Sequence, residues 1–425
     1  MDILNRCSGT SYCAFAQRCQ RFTCTFLARK KLLPRPFKDL AYMPLPLIRR
    51  RLITVPLYGC RRCYTTQCLG GNENNSVVKP KSLYIPSVVQ FHLDQLQSDI
   101  SDTLTALHDF SCSSTERASH LPQHDRLLDI AKYYFSQSGK LFRPSVSLMM
   151  AAACNTESSA VISESQYKIA VIAEMVHTAS LVHDDVIDES DQRRSQPTVN
   201  ALWGNRKAVL AGDFILAKAT QLLCSIGDAR VIALLAQIIE DLVRGEFMQL
   251  GVRNSDANQR FVHYMVKTFK KTASLFAYSC KAVAHLASCS EEVQKAAFEY
   301  GRHVGLAFQL IDDLLDFVAD ASNIGKPVAT DLKLGLATAP VLFASEEHKE
   351  LDKLIARRFA HTGDVQAAWD FVLNSNGLKR TKELAQFHVN QAVKQVENLP
   401  NNSAQQNEFK RGLVRAAEVQ MSRER

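Results

Sequence analysis

Residues 181–198 read LVHDDVIDESDQRRSQPT, which places Asp184, Asp185, Asp188, Glu189 and Asp191 within eight positions and Arg193 and Arg194 directly after them. On a helix, Asp184 and Asp188 stand at i and i+4 and project side by side with Asp185 on the flank, an arrangement that is repulsive by itself. A second acidic group follows 128 residues later in AFQLIDDLLDF, where Gln309, Asp312, Asp313 and Asp316 run down one stripe. Phe308, Leu310, Ile311, Leu314, Leu315 and Phe317 surround these acids, so the stripe is not a solvated face. One such motif is common on helical surfaces. Two of them, each on an otherwise apolar helix, point to hard oxygen ligands that face each other across a cavity and hold Mg²⁺ together with a phosphate ester.

Phosphate charge calls for cations, and the sequence supplies them near both motifs. Arg193 and Arg194 trail the first by little more than a turn, and Arg matches phosphate bidentately. SGKLFRPS (138–145) brings Lys140 and Arg143 to the start of a helix expected near Pro144. KTFKKTASL (267–275) offers Lys270, Lys271 and Thr272, and NIGKPVATDLKLG (323–335) offers Lys326 in a loop. His177 lies two turns before Asp184 on the same face. Singly, each reads as a solvated cation or a satisfied core histidine; together around two aspartate clusters they read as a diphosphate-binding set.

These side chains need a scaffold, and the apolar spacing describes one. Residues 87–107, 126–137, 165–190, 229–250, 259–287, 291–320, 365–374 and 379–397 repeat apolar residues at i, i+3, i+4 and i+7. Pro122, Pro144, Pro197, Pro327, Pro340 and Pro400 fall where helices start or stop. With no alternating run of convincing length and no short-period repeat, the fold class is all-α. Because 165–182 and 229–244 are apolar over most of their circumference, a central bundle wrapped by outer helices is expected.

The composition, 46% hydrophobic and 22% charged over 425 residues, is that of a globular protein with a large core. The net charge of +8 is local: residues 1–75 carry thirteen Lys and Arg against Asp2, Asp39 and Glu73, which leaves the rest slightly acidic. Nucleic acid as a partner therefore loses its main support. An Arg-rich, acid-poor leader predicts import into the mitochondrion, so 1–75 is read as a targeting segment and linker and 76–425 as the working domain. Cys60 and Cys63 form a CxxC with no second pair at zinc spacing, and Cys112, Cys154, Cys224, Cys280 and Cys289 are scattered as in a reducing compartment. No apolar run approaches the ~20 residues needed to span a bilayer, so at most peripheral membrane association is expected.

At this point the chain resembles the trans-polyprenyl diphosphate synthases. DDVIDESDQRRSQPT looks like their first aspartate-rich motif and FQLIDDLLDF like their second, while GKLFRP, EMVHTASLVHDD, KTAS and the GK…DLK loop follow in the family's order over about 125–345. The likeness is strongest to mitochondrial long-chain members that make the ubiquinone tail. It implies an isoprenoid-synthase-like bundle around a deep apolar cavity. It also implies that Asp184, Asp185, Asp188 and Asp312 bind Mg²⁺ bridging an allylic diphosphate, farnesyl or geranylgeranyl, with Asp313 and Asp316 completing the second platform. Arg193, Lys271, Thr272, Gln309 and Lys326 would contact that diphosphate, and Lys140, Arg143, His177 and Arg194 would hold isopentenyl diphosphate. In this family the residue five before the first aspartate forms the floor of the product tunnel; here it is Ala179, followed by Ser180, and small side chains there imply a long product. Relatives work as homodimers or with a divergent second subunit in a heterotetramer, and the latter is expected here. Ser195 stands where many relatives have Gly, and Leu336 where many have Lys. The competing readings are a class I terpene cyclase and a non-catalytic stabilising subunit. The first lacks an explanation for GKLFRP and the second DDxxD, and the second sits poorly with six retained aspartates.

Overall fold

The three-and-four apolar spacing forms helices almost throughout. The computed structural model describes residues 83–106, 122–136, 139–155, 160–250, 257–318, 329–401 and 403–423. The expected targeting segment 1–75 and the loop with Lys326 lie outside the described residues. The helices that build the site are α1 (Ser87–Thr105), α2 (Pro122–Lys132), α3 (Phe142–Cys154) and α4 (Glu164–Ile187). After them come α5 (Val199–Trp203), α6 (Asn205–Cys224), α7 (Ala229–Leu250), α8 (Ala257–Thr268), a π-helical turn (Phe269–Ala273), α9 (Ser274–Leu286) and α10 (Glu291–Val318). The chain continues through α11 (Thr330–Lys333), α12 (Ala339–Glu347), α13 (Glu350–Ala356), α14 (Asp364–Leu373), α15 (Gly377–Val396) and α16 (Ala404–Glu418). Among the described residues the only strands are β1 (Gln192–Arg193) and β2 (Gln196–Pro197), an antiparallel pair with Arg193 opposite Gln196. The all-α expectation holds.

The core sits between α3, α4, α9 and α10, with α6 and α7 flanking one side and α15 and α16 the other. Every residue of α3 from Pro144 to Cys154 is buried, α9 buries most of its residues and α4 half. At about 1.5–3 kcal/mol for each large apolar side chain, this burial is the main force that holds the acidic ends in place. Ser163 and Gln166 form a reciprocal cap that fixes the start of α4. Its far end departs from the sequence expectation of 165–190. The helix stops at Ile187 because Asp188 caps it, donating its N–H to the Asp184 carbonyl, and Glu189 turns into the left-handed region at φ 50°.

Glycine is required where α9 and α10 meet. A Cβ at Gly301 would lie 2.5 Å from the Phe276 carbonyl oxygen, and one at Gly305 would lie 2.5 Å from Ala273 Cα. Both obstacles are backbone, so the helices could not approach this closely with any side chain there.

On the other side of α10, His303 and His388 of α15 place their Nδ1 atoms 2.8 Å apart in a buried contact, so one imidazole donates, the other accepts, and both are neutral. Arg302 (3.4 Å) and Glu299 (3.8 Å) face the outer nitrogen of His303. Burial first, then neighbouring positive charge, pushes His303 down to about 2 and His388 down to about 3. Below about pH 6.5 the unfolded chain takes up protons that the native pair refuses, so stability is lost as pH falls from about 6.5 towards 3. The slope this pair adds is at most about 1.4 kcal/mol per pH unit per imidazole. Urea unfolding at a series of pH values should show it, and His388→Gln should flatten it; an unchanged slope would place its origin elsewhere.

Candidate active site

The first acidic wall is the C-terminal end of α4. Adjacent helical residues point about 100° apart, so Asp184 and Asp185 cannot share a direction. Asp184 faces a cavity of about 560 Å³ between α4, α7 and α10. Asp185 turns inward, 1% exposed, and is held by two groups. The Tyr134 hydroxyl donates to its Oδ2 at 2.5 Å, and Arg193 of β1 grips it through Nε (3.0 Å) and Nη2 (2.8 Å). Burial alone pulls the Arg193 guanidinium down, but Asp185 more than reverses this and raises it. The hairpin that returns Arg193 to Asp185 turns at Arg194 and Ser195, both left-handed at φ 51° and 62°. A glycine is the natural occupant of such a position, which accounts for the departure noted at Ser195.

The second wall is the C-terminal half of α10, and it repeats the division. Asp312 faces the cavity while Asp313, the second of its pair, is 2% exposed and accepts from the Tyr264 hydroxyl (2.5 Å) and Gln309 Nε2 (2.9 Å). Asp316 accepts the Asp331 N–H at 3.1 Å. Lys140, Asp312, Asp313, Asp316, Asp331 and Arg423 surround a second cavity of about 350 Å³ that shares Asp312 and Gln309 with the first. The carboxyls are poised for a cation. Burial raises Asp184 to about 6 and raises Asp188, Asp312 and Asp313, while burial together with Asp313 and Asp316 raises Asp331 to about 8.

Between the walls stands the π-helical turn that carries Lys270, Lys271 and Thr272. It is clasped from both sides by glycine: a Cβ at Gly245 of α7 would meet Lys271 N at 2.8 Å, and Gly305 abuts Ala273. Such one-residue widenings of a helix concentrate at functional sites. Lys271 Nζ lies 3.7 Å from Asp184 and bonds Glu246, and although burial lowers it, those two acids raise it overall. Thr272 Oγ1 donates to Gln309 Oε1 at 2.8 Å, linking the turn to the second wall. Lys270 instead pairs with Asp241 at 2.5 Å and does not line the cavity.

Arg143, in the first turn of α3, is half-buried among Phe276, Phe308 and His177, with Nη1 3.0 Å from His177 Nε2. Burial pushes Arg143 down to about 10 and depresses His177, so the imidazole is neutral beside a cation. The larger cavity thus brings together Arg143, His177, Ser180, Asp184, Arg193, Arg194, Lys271, Thr272, Gln309 and Asp312. Ala179 does not line it. Val176, His177, Ser180, Leu181, His183, Asp184 and Ile187 of α4 line it, and Ala179 is wholly buried in the core. Below the cavity, Val176 and Ile239 continue into a narrow apolar crevice walled by Ile172, Leu223, Leu235 and Leu275.

Sequence reading missed Glu246, Asp331 and Arg423. Glu246 carried a signal, an acid interrupting an apolar helix. Arg423, whose Nη2 lies 2.6 Å from Asp312, carried none across 111 residues.

A polyprenyl synthetase family profile matches residues 124–372, a stretch that holds both walls and every cation named here except Arg423. This chain belongs to that family. All trans-polyprenyl-diphosphate synthase PDSS1 of Homo sapiens is 49% identical over 304 residues, covering 70% of this chain and 71% of its own length. Mitochondrial solanesyl-diphosphate synthase 1 of Oryza sativa is 42% identical over 291 residues, 65% of this chain and 67% of its own. The crystal structure of polyprenyl synthase from Caulobacter crescentus, complexed with calcium and isoprenyl diphosphate, matches with a TM-score of 0.64 at 27% identity, covering 79% of this chain and 96% of that one. As a polyprenyl synthetase the chain is an enzyme, a trans-prenyltransferase, and its helical bundle is the isoprenoid-synthase fold.

The geometry separates two neighbouring arginines by role. Arg193→Gln leaves the buried Asp185 with only Tyr134 and should cost about 3–5 kcal/mol of stability, whereas Arg194→Gln, exposed at the hairpin tip, should cost less than about 0.5 kcal/mol. Guanidinium denaturation of the two variants side by side checks this; equal losses would contradict it.

Proposed function

We propose that this enzyme extends an allylic diphosphate with successive isopentenyl diphosphates to give a long all-trans-polyprenyl diphosphate, the precursor of the ubiquinone side chain. The observation that carries the reading is the pairing of Asp184 and Asp312 across one cavity, with Lys271 between them and apolar depth below. Long-chain length is also the feature in the names of the relatives above.

The donor set fits Mg²⁺. Hard carboxylate oxygens face a cavity, and burial and mutual repulsion favour a bound cation there, although among the described residues no three acidic, His or Cys side chains stand close enough to hold a metal ion by themselves. Coordination must then be completed by waters and substrate phosphate oxygens, as Mg²⁺ prefers. Asp184, Asp188, Asp312 and Asp316 would hold the ions, with Asp185 and Asp313 fixing the walls behind them. When bound, magnesium neutralises the allylic diphosphate and eases its departure.

The chain's own residues do the rest. Lys271 and Thr272, with Gln309, Lys326 and the Asp185-backed Arg193, orient the allylic diphosphate. Lys140, Arg143, His177 and Arg194 hold isopentenyl diphosphate, the neutral His177 accepting from or donating to its oxygens without adding charge. The allylic carbon–oxygen bond breaks and its electron pair leaves with the diphosphate. The isopentenyl double bond then attacks the allylic carbon, and a proton passes from the adduct to the released diphosphate. Leu216, Ile239, Leu242 and Phe308 keep water away from the cationic carbon. The growing tail would leave the cavity past Ser180 and Val176, and the crevice, about 10 Å³ here, would widen to admit it.

Leu210 of α6 and Val243 and Phe247 of α7 are exposed large apolar residues, the latter two at the rim of the larger cavity, and their cover by a partner would suit a heterotetramer containing a divergent second subunit or else a homodimer. Mitochondrial location rests on the leader composition and on the rice relative's name. No described helix is long and apolar enough to cross a membrane, and attachment would be peripheral.

Asp184→Ala and Asp312→Ala should each lower kcat by about 10²–10³-fold, read from incorporation of labelled isopentenyl diphosphate by the mature chain with and without candidate partners. Chelation should abolish incorporation, and full activity in either variant would overturn the mechanism. Product length tests the lining of α4. Ser180→Phe, which intrudes on the cavity, should shorten the chains made, while Ala179→Phe should mainly lower thermal stability. Reversal of those two outcomes would return the tunnel floor to Ala179.

A further inference from the structure

At the end of α3 remote from Arg143, roughly 16 Å away along the helix, two cysteines from distant parts of the chain meet. Cys154 is the last residue of α3 and is fully buried. Cys289 lies in the turn between α9 and α10 and is half-buried. Its Sγ donates to the Cys154 carbonyl oxygen at 3.6 Å, the Cys154 Sγ donates to Met150 Sδ at 3.9 Å, and the two thiols are close enough to shift each other's acidity.

Both ends of this contact are fixed by their surroundings. The Asn155 side chain, next to Cys154, donates to the Val161 carbonyl and to Gln166, each at 2.8 Å. On the other side Ser288 turns into the left-handed region at φ 54°, which folds Cys289 N–H back onto the Ala284 carbonyl (3.2 Å). Gln294 Nε2 holds the Cys289 carbonyl at 2.8 Å. Neither residue touches the cavities described above, so the pair is spare to the transferase chemistry.

From this geometry we infer that Cys154 and Cys289 are a peroxide-sensitive dithiol that closes to a disulfide and clasps the base of α3 to the turn between α9 and α10. The two thiols are unequal in a way that suits the sequence of steps. The proximity of Cys154 lowers the Cys289 thiol, and the same proximity, with burial, raises Cys154. Cys289 is also the more accessible, so its thiolate is the attacking group. It takes one oxygen of a hydroperoxide, the O–O bond breaks, and the departing hydroxide or alkoxide collects a proton; Cys289 becomes a sulfenic acid. Cys154 sulfur then attacks Cys289 sulfur, the S–O bond breaks, and water leaves with the Cys154 proton. In balance, two thiols and one hydroperoxide give one disulfide, one water and one water or alcohol. Cys280 neighbours Cys154 but is wholly buried, and burial raises its thiol, so it remains reduced.

Treating the full chain with hydrogen peroxide, blocking free thiols and mapping peptides without reductant should yield a linked Cys154–Cys289 peptide that dithiothreitol separates. The oxidised protein should melt several degrees higher than the reduced one, and Cys289→Ser should remove both the linked peptide and the shift. Cys289→Ala serves if the serine variant folds poorly. Oxidation of Cys289 to sulfinic acid with no linked peptide would overturn the inference, and so would linkage confined to the exposed Cys224.

Discussion

Carboxylates inside an apolar bundle are tolerable only when donors or opposite charge stand against them, and that constraint organises this molecule. Each DD pair is split by helical geometry into one aspartate that lines the larger cavity and one that does not. The inward members, Asp185 and Asp313, are each satisfied by a tyrosine hydroxyl, from Tyr134 and Tyr264, and by a second donor, Arg193 or Gln309. The outward members differ: Asp184 has Lys271 at 3.7 Å, while Asp312 is paired closely with Arg423 at 2.6 Å. The two motifs look like six equivalent ligands in the sequence. In the structure they are two anchored walls, each presenting a small number of oxygens to the space between.

Much of this was legible from the sequence because the signals are local. The i, i+4 spacing of aspartates on apolar helices placed both walls, and the apolar period placed the helices that carry them. The boundaries were less visible: the end of α4 depends on the backbone at Asp188 and Glu189, which no side-chain period reports. Arg423 and Tyr264 were invisible because their meaning comes only from partners brought near by folding. The reading of Ala179 as the tunnel floor came from family likeness; in the structure Ala179 is buried in the core and its neighbour Ser180 lines the larger cavity.

Charge and packing are coupled through the hairpin after α4. Returning Arg193 to Asp185 needs two consecutive left-handed residues, and here neither is glycine. The strain this implies, of order 1–3 kcal/mol per residue, is offset by the bidentate grip on a buried acid. Sequence comparison reads the serine as a departure; the backbone retains the loop.

The π-helical turn before α9 sets the rotational phase of everything after it. It inserts about one residue beyond a regular helix, and each residue is worth roughly 100° of rotation. Excising a single residue between Phe269 and Ala273 would spin α9 by that angle, carrying Leu275 and Ser279 out of the crevice and Phe276 away from Arg143, with every residue of α9 still present and still helical. The enzyme's apolar depth therefore depends on a counting irregularity one residue long, held open by the two bare glycine surfaces on either side of it.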